Sequence, residues 1–281
     1  MNMIDRIRAG FDAMTRTERQ VASYFPGHEG EFTFCTLDKL SGRIGTSTAS
    51  VIRFCRRLGF DGYKEFQQTL RADLGAQPDL PDKFRRTADS APRNALWQAA
   101  VQQDIRCLQQ TAQLLSDEKL SEAVRRISEA KRVYTFGMKE SFALAHYLYT
   151  RLLTVRPDVY LLAAGYNGTV EPLLSLTPQD VCIVFLFHRY TQQTLQLLPM
   201  LQKQGVQVIL VTSEPFDAVE SYAALLLECR VDAGGIKNTA AAPVCLADYL
   251  CNAVAMQGGE KTLAYMRRTE QLFETGCVLG D

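Results

Sequence analysis

Hydroxylated and cationic residues share one short segment near the amino end of the chain. Ser47, Thr48 and Ser50 open a stretch with helical spacing, and Arg53 follows about one turn later. Hydroxyl and guanidinium groups on one helix face suit contacts to base edges and phosphates in the major groove of DNA. We therefore predict a DNA-binding helix, and the residues expected to contact DNA are Ser47, Thr48, Ser50, Arg53, Arg56, Arg57 and Lys64.

An exposed helix face that binds nothing is the alternative interpretation of these arginines. The local charge favours DNA binding, because from Arg43 to Arg71 there are six basic residues and two acidic ones in a chain of net charge zero. A neutral chain does not attract DNA as a whole, so any affinity must come from such a patch.

A second group of candidate residues follows a predicted strand. Gly137, Lys139 and Ser141 stand where that strand gives way to a helix. Free backbone N–H groups at a helix start, with an ammonium and a hydroxyl beside them, can hold an anion. This signal is weak on its own, because a glycine and a serine often follow a strand.

Another loop between a strand and a helix carries His188, Arg189 and Thr191. Arg189 could bind a phosphate or a carboxylate through two hydrogen bonds. Alternatively, it pairs with a carboxylate of its own fold or across a dimer interface. Together the two loops predict a site for a small anionic effector, made of Gly137, Lys139, Ser141, His188, Arg189 and Thr191.

Two short helices and a tight turn position the predicted DNA-binding residues. Thr36 and Ser47 are predicted N-caps, because a hydroxyl can accept a hydrogen bond from a free N–H of the first turn. Gly45 and Gly59 are predicted to end the two helices, since glycine readily takes a left-handed conformation.

The spacing of apolar residues divides the chain into three parts. Residues 1–74 are predicted to be all-helical, with Thr15 and Glu18 at capping-box spacing. Residues 75–93 are rich in proline and lack apolar periodicity, so we predict a linker there. Residues 94–281 are predicted to form an α/β domain.

Short apolar runs alternate with helix-length segments after Lys131. Such alternation predicts a doubly wound parallel sheet that is buried on both faces. Ligands of such sheets bind beyond the carboxyl ends of the strands, where both candidate loops lie. The predicted strands are Val133–Phe136, Val159–Leu162, Val181–Phe187, Val206–Val211 and Leu225–Val231.

The composition excludes several classes of protein. The longest apolar run is too short to cross a bilayer, and charged residues near the amino end argue against a signal peptide, so we expect a cytoplasmic protein. The eight cysteines are scattered without a Cys-x-x-Cys pair and are expected to be reduced. We expect no metal, no cofactor and no membrane partner.

Two stretches of the helical part carry a family resemblance. Gly45 to Phe54 has the sequence GTSTASVIRF, and Leu58 to Tyr63 has the sequence LGFDGY. They resemble the Ser-capped recognition helix and the Leu-Gly-Phe-x-Gly-Tyr tail of RpiR-type transcriptional regulators, and the resemblance covers nearly the whole chain. It implies a helix-turn-helix domain joined to a flavodoxin-like sugar isomerase (SIS) domain. It also implies a homodimer or homotetramer on a palindromic double-stranded DNA operator, and a phosphorylated sugar as effector.

The candidate effector loops depart from the pattern of SIS domains. The first loop resembles Gly-x-Gly-x-Ser, with Gly137 and Ser141 kept and Lys139 at the second glycine. The second loop is Ser-x-Ser-Gly-x-Thr in the family, and three of its four defining positions differ. An added cation suits an anion, which leaves a phosphosugar and a carboxylate metabolite as alternatives. The matching positions of the second loop are Leu186, His188, Arg189 and Thr191.

Three functions compete for this sequence. We rank a transcriptional regulator first, a sugar-phosphate isomerase second and a DNA-binding scaffold without an effector third. An isomerase needs a general base, and the local candidates Glu140 and His188 fall in no recognisable motif. We therefore expect no catalytic residue and no enzymatic activity.

Overall fold

The computed structural model describes residues 3–26, 28–73, 81, 83–85, 87, 95–163, 173–187, 191–213, 217–232 and 235–274. The chain divides into two units, which are described separately below. One comprises Met1–Gln77 with Pro215–Ser221, and the other comprises Pro78–Glu214 with Tyr222–Asp281.

The helical unit is built from amphipathic helices around one apolar core. Phe25, Phe32, Phe54 and Phe66 come from different parts of its sequence, and each is at most 1% exposed. Their rings meet at tilted or edge-on angles, which aromatic pairs prefer. The helices are α1 (Met3–Gly10), α2 (Arg16–Tyr24), α3 (Glu29–Phe34), α4 (Leu37–Ile44), α5 (Thr48–Arg57) and α6 (Tyr63–Asp73), with a 3-10 turn at Phe11–Ala13.

The predicted helix ends of this unit are largely confirmed. Thr15 and Glu18 form the complete capping box of α2. Gly45 ends α4 with φ 71°, and the Ser47 side chain accepts a hydrogen bond from Ser50 N at the start of α5. Thr36 stands at the N-cap of α4, but its side chain makes no capping hydrogen bond, so that prediction was wrong about its hydroxyl.

The second unit alternates helices and strands as predicted. It begins with two helices, and further helices separate or follow five strands. The elements are α7 (Leu96–Leu114), α8 (Asp117–Glu129), β1 (Val133–Gly137), α9 (Glu140–Leu153), β2 (Val159–Leu162), β3 (Val181–Phe185), α10 (Gln192–Lys203), β4 (Gln207–Thr212), α11 (Asp217–Glu220), β5 (Leu225–Glu228), α12 (Ala241–Gly258) and α13 (Glu260–Glu274). By its contacts, α11 belongs to the helical unit.

The five strands form one parallel sheet in the order β2-β1-β3-β4-β5. This is the flavodoxin-like order, so the predicted doubly wound parallel sheet is confirmed. The strand order reverses between β1 and β3, where Gly137 is paired with Phe185. Ligands of this architecture bind at such a reversal point, beyond the carboxyl ends of the strands.

Both faces of the sheet are covered. Ile183 and Phe185 share a core with Leu148 of α9 and Leu250 of α12. Successive strand residues point to opposite faces, and the intervening Val184 is also fully buried. Helix α10 packs against β4. The apolar, unalternating strands of the sequence are thus explained by burial on two sides.

The sequence-based boundaries differ from the structure in several places. The third strand ends at Phe185 rather than Phe187, and the fifth ends at Glu228 rather than Val231. Neither α3 nor α13 was predicted as a separate helix from the sequence. Of the predicted linker, the structure describes residues 81, 83–85 and 87, which are helical. The division at 1–74, 75–93 and 94–281 stays a prediction.

Candidate functional site

Three polar side chains form a continuous hydrogen-bonded row along the start of α5. Ser47 Oγ accepts from Ser50 N at 3.2 Å and lies 2.9 Å from Ser50 Oγ. Arg53 Nη2 in turn donates to Ser50 Oγ at 3.0 Å. The spacing of three residues places all of them on one helix face. The row holds the Arg53 guanidinium beside the amino end of the helix.

The seven predicted DNA-binding residues differ in exposure. Ser50 is 3% exposed, so its hydroxyl supports Ser47 and Arg53 from within the fold. Thr48 is half-buried. The remaining five are exposed to solvent, namely Ser47, Arg53, Arg56, Arg57 and Lys64.

Arg57 makes an ion pair with a carboxylate of α2. Its Nε lies 3.3 Å from Glu18 Oε2, and the Glu18 side chain is only 4% exposed. Burial raises the pKa of the Glu18 carboxyl, but hydrogen bonds from Thr15 and the charge of Arg57 outweigh it, so the pKa lies below its ordinary value. Glu18 is therefore charged at neutral pH and joins α2 to α5.

A second contact joins α2 to the turn that precedes α5. Gln20 Nε2 donates a hydrogen bond to the backbone oxygen of Ile44 at 2.9 Å. Ile44 is the last residue of α4, directly before Gly45. Helix α2 thus holds both the turn and the carboxyl end of the candidate DNA-binding helix.

The first candidate effector loop starts at a glycine that the fold requires. A Cβ atom at Gly137 would stand 2.2 Å from the backbone oxygen of Ser141, which is far inside contact distance. The first turn of α9 can approach the end of β1 this closely only because Gly137 has no side chain. Ser141 itself is 9% exposed in the first turn of the helix.

Lys139 holds a backbone conformation that glycine normally supplies. Its φ is 55° and its ψ is −120°, directly before α9. This region is unfavourable for a residue with a Cβ atom and costs on the order of 1–3 kcal/mol. Since Lys139 occupies the second glycine position of the resembled loop, the structure keeps the glycine conformation while adding an exposed ammonium group.

A second lysine reaches the same helix start. Lys237, in the segment before α12, forms an ion pair with Glu140 of α9. From the sequence, Lys237 and Asn238 could close the pocket or could simply end a loop and cap a helix. Its position is determined by the packing of α12 beside α9, which no local pattern reveals.

The loop after β3 is described only in part. His188 and Arg189 lie outside the described residues, so their predicted roles stay predictions. Thr191 is the N-cap of α10, where its side chain accepts a hydrogen bond from Thr194 N. Its hydroxyl also lies 2.9 Å from that of Thr194. The structure thus gives the Thr191 hydroxyl a helix-capping contact.

Arg230 is a cation near the carboxyl edge of the sheet that the sequence analysis missed. It follows β5, and its Nη1 donates a hydrogen bond to the backbone oxygen of Ser213 at 3.1 Å. Ser213 follows β4 directly. An arginine within two residues of a strand end was the available signal, but the predicted β5 extended past it to Val231.

An ion pair between a buried carboxylate and a partly exposed arginine joins the amino ends of β1 and β3. Arg132 precedes β1 and Asp180 precedes β3, and the guanidinium donates to both carboxylate oxygens at 3.0 and 2.7 Å. Thr177 donates to the same carboxylate from its backbone N and its hydroxyl. This pair lies at the amino ends of the strands, away from the candidate effector loops, and we assign it to stability.

Across the described parts of the chain, no helix is both long and apolar enough to cross a bilayer.

Comparison with known proteins identifies both units. Residues 1–77 match the helix-turn-helix domain of the rpiR family, and residues 126–250 match the SIS domain. An HTH-type transcriptional regulator of Haemophilus influenzae is 22% identical over 228 residues, which are 80% of this chain and 79% of that protein.

Two solved structures share the fold. The sugar isomerase domain of an RpiR transcription factor from Sphaerobacter thermophilus has a TM-score of 0.60 and 24% identity, and the match covers 63% of this chain and 99% of that one. The NanR protein of Vibrio vulnificus, solved as a complex with ManNAc-6P, has a TM-score of 0.54 and 20% identity over 96% and 97% of the two chains. At these identities the likeness establishes the fold alone.

Fold and site together define a class of protein in which a helix-turn-helix unit shares a chain with a parallel-sheet SIS domain. Both family matches and the named relatives agree with that class. By these matches, the chain joins a helix-turn-helix domain of the rpiR family to an SIS domain.

Proposed function

We propose that this chain binds a double-stranded DNA operator through α5 and senses a small anion beyond the carboxyl ends of β1 and β3. The observation that carries the proposal is the row from Ser47 through Ser50 to Arg53. A guanidinium that is held in place before DNA arrives loses less conformational entropy on binding.

The proposed DNA contacts divide into two groups. Ser47 caps α5, and Thr48 and Arg53 lie in its first two turns, the part of a recognition helix that meets base edges. Arg56 and Lys64 are exposed cations that suit phosphates. A homodimer or homotetramer would place two such helices on half-sites about 34 Å apart, or a multiple of that distance.

A phosphosugar is the proposed effector. Lys139 and the N–H groups at the start of α9 offer charge and hydrogen bonds to a phosphate, and Ser141 adds a hydroxyl. The likeness to a NanR protein solved with ManNAc-6P favours a phosphosugar over a carboxylate metabolite. Arg189 is proposed to complete the site from the loop after β3.

The proposed response is a shift between two arrangements of the oligomer. An effector that binds one arrangement better increases its population, and the spacing of the two recognition helices changes with it. The effector therefore alters operator affinity by no more than its own difference in affinity for the two arrangements.

An SIS-type isomerase is the second candidate, because a Listeria monocytogenes protein of similar fold is named a sugar-phosphate isomerase. We favour a regulator without enzymatic activity. Glu140, one of two local candidates for a general base, is in an ion pair with Lys237. A regulator acts where DNA is, so we also propose a cytoplasmic location.

Selection of bound fragments from a genomic DNA pool at near-physiological salt tests the DNA-binding proposal. The parent protein should enrich a palindrome, and Arg53→Ala should lose roughly 1–3 kcal/mol of operator affinity with relaxed specificity at one base pair. Arg125→Ala is the matched control, because Arg125 is an exposed arginine of α8 in the SIS unit. Equal enrichment by the parent and Arg53→Ala would contradict the proposed role of α5.

Proton exchange separates the two candidate functions. A sugar-phosphate isomerase would exchange the hydrogen beside the substrate carbonyl with solvent deuterium, which NMR detects. We expect no exchange with a panel of aldose and ketose phosphates. Exchange that Glu140→Gln abolishes would favour the isomerase.

A further inference from the structure

Arg57 differs from the neighbouring arginine of α5 in what it contacts. Its Nε is 3.3 Å from the Glu18 carboxylate, which is 4% exposed, whereas the Arg57 side chain is 39% exposed. Arg56, one residue earlier, donates from Nε to the backbone oxygen of Asp61 at 3.2 Å in an exposed position. One arginine thus connects two helices, and the other lies at the surface.

Local hydrogen bonds at the start of α2 hold the Glu18 carboxylate in addition to its contact with Arg57. Its Oε2 accepts hydrogen bonds from Thr15 N at 2.8 Å and from Thr15 Oγ1 at 2.9 Å. A carboxylate oxygen held by two local donors and one arginine has little freedom to move, and charged hydrogen bonds are strong. The carboxyl end of α5 is therefore tied to a rigid point.

The other end of α5 is tied to the same helix. Gln20 of α2 holds the backbone oxygen of Ile44, which lies directly before the turn into α5. Helix α5 has ten residues, a length of about 15 Å. A contact near one end alone would let the helix swing, whereas contacts near both ends fix its direction.

We propose that Glu18 and Arg57 are positioning residues that fix the direction in which α5 presents Arg53 to DNA, and that Arg57 neutralises no phosphate. The inference rests on the DNA-binding function proposed above. It replaces the phosphate contact that the sequence suggests for Arg57 with a contact inside the protein.

Two simple expectations distinguish positioning from direct electrostatics. A cation on a phosphate releases counterions, so its loss lowers the slope of log K against log salt concentration by about 0.9 and weakens all duplexes alike. Removing the negative charge of Glu18 would strengthen DNA binding if charge alone mattered. If the pair positions α5 instead, loss of Arg57 leaves the salt slope and the binding of an unselected duplex unchanged, and loss of the Glu18 charge weakens binding to the enriched duplex.

The experiment titrates the full-length parent and its variants over a series of salt concentrations. The probes are a duplex enriched by the parent from a random-sequence pool and an unselected duplex. Arg57→Gln should bind the enriched duplex about tenfold more weakly, with the unselected duplex and the salt slope unchanged. The matched control Arg56→Gln should weaken both duplexes and lower the slope by about 0.9.

Glu18→Gln provides the second arm. It should also weaken binding to the enriched duplex about tenfold, and the double variant with Arg57→Gln should bind no more weakly than either single variant, because both remove the same contact. Circular dichroism confirms that each variant is folded. If Glu18→Gln does not fold, the salt slope of Arg57→Gln decides alone.

Two results would overturn the positioning role and leave DNA binding intact. One is a salt slope that falls in Arg57→Gln as in Arg56→Gln, and the other is tighter binding by Glu18→Gln. If the parent enriches no duplex at all, the DNA-binding proposal itself fails and the inference fails with it. Enrichment of a duplex by the parent protein thus distinguishes failure of the positioning role from failure of the DNA-binding proposal.

Discussion

The helical unit and the sheet unit each bury one carboxylate in the same local arrangement. Glu18 accepts from the backbone N and the hydroxyl of Thr15, and Asp180 accepts from the same two groups of Thr177. Each carboxylate then meets one arginine from elsewhere in its unit. The difference lies in the arginine, because Arg132 bonds both oxygens of Asp180 whereas Arg57 reaches Glu18 through Nε.

This difference shows that a carboxylate held by a nearby threonine can either stabilise the fold or fix the position of a helix, depending on its arginine partner. Arg132 is 20% exposed and its two hydrogen bonds fix the register of β1 and β3 at their amino ends. Arg57 is 39% exposed and joins the carboxyl end of α5 to α2. Loss of the first pair should therefore cost folding free energy alone, whereas loss of the second should cost DNA affinity as well as a smaller amount of folding free energy.

A second contrast concerns backbone conformation. In the helical unit, glycines occupy the described positions of positive φ, with Gly45 at 71° and Gly59 at 85°. In the sheet unit, Lys139 and Asp158 also have positive φ. The helical unit thus avoids strain at its turns, while the sheet unit keeps strain at a loop that we propose binds the effector.

The largest expected effect is that of Asp180→Asn. The new amide group would replace a fully buried carboxylate that accepts charged hydrogen bonds from Arg132, and this loss should cost about 3 kcal/mol of the free energy of unfolding. Urea denaturation followed by circular dichroism measures it. Asp117→Asn removes an exposed carboxylate of α8 and should change stability by no more than about 0.5 kcal/mol.

Low pH should remove the stability that the pair of Asp180 and Arg132 contributes. Burial raises the pKa of the Asp180 carboxyl, but hydrogen bonds from Arg132 and Thr177 outweigh this effect. The pKa of Asp180 therefore lies below its ordinary value of 3.8. A lowered folded pKa gives stability that is complete above the unfolded value and is lost as pH falls through the folded value. The deficit of Asp180→Asn should therefore shrink below about pH 4. A deficit that stays constant down to about pH 2 would contradict the charged pair.

A smaller loss of stability is expected from Glu18→Gln. The helical unit should lose about 1.5 kcal/mol, because the amide oxygen can still accept from Thr15 and Arg57 is partly solvated. The comparison of the two units predicts a smaller loss here than in Asp180→Asn and a larger effect on DNA binding. Equal losses of stability with no change in operator affinity would remove the proposed difference between the pairs.

The smallest expected effect is a gain of stability in Lys139→Gly. Lys139→Gly relieves backbone strain of about 1–3 kcal/mol and adds roughly 0.5–1 kcal/mol of unfolded-state entropy, so stability should rise by about 1 kcal/mol. Asp158→Gly is the control, and it should gain less because aspartate tolerates a left-handed φ. Isothermal calorimetry with sugar phosphates should show weaker binding by Lys139→Gly. Unchanged sugar-phosphate affinity would remove Lys139 from the effector site.

Local signals predicted the helical unit well. The capping box at Thr15, the left-handed Gly45 and the Ser47 cap each depend on residues within a few positions of one another, so the sequence reveals them directly. Helix α3 escaped prediction because six residues are too few for a periodic pattern. Phe32 of that helix is nevertheless fully buried in the core.

In the sheet unit, local sequence patterns predicted the fold but not the contacts between residues distant in sequence. The strand pattern predicted its fold, because burial on both faces produces continuous apolar runs. Arg230 was missed, and the partner of Lys237 was not predicted, since a hydrogen bond to Ser213 and an ion pair to Glu140 join residues distant in sequence.

The sequence by itself determined the two kinds of unit, the helix-turn-helix segment and the parallel doubly wound sheet, because caps, glycines and apolar periodicity act over short distances. Only the tertiary structure decided that Ser50 is buried, that Arg57 pairs with Glu18, and that Lys139 holds a glycine conformation. Each of these facts depends on which elements pack together, and packing joins side chains that no spacing along the chain relates.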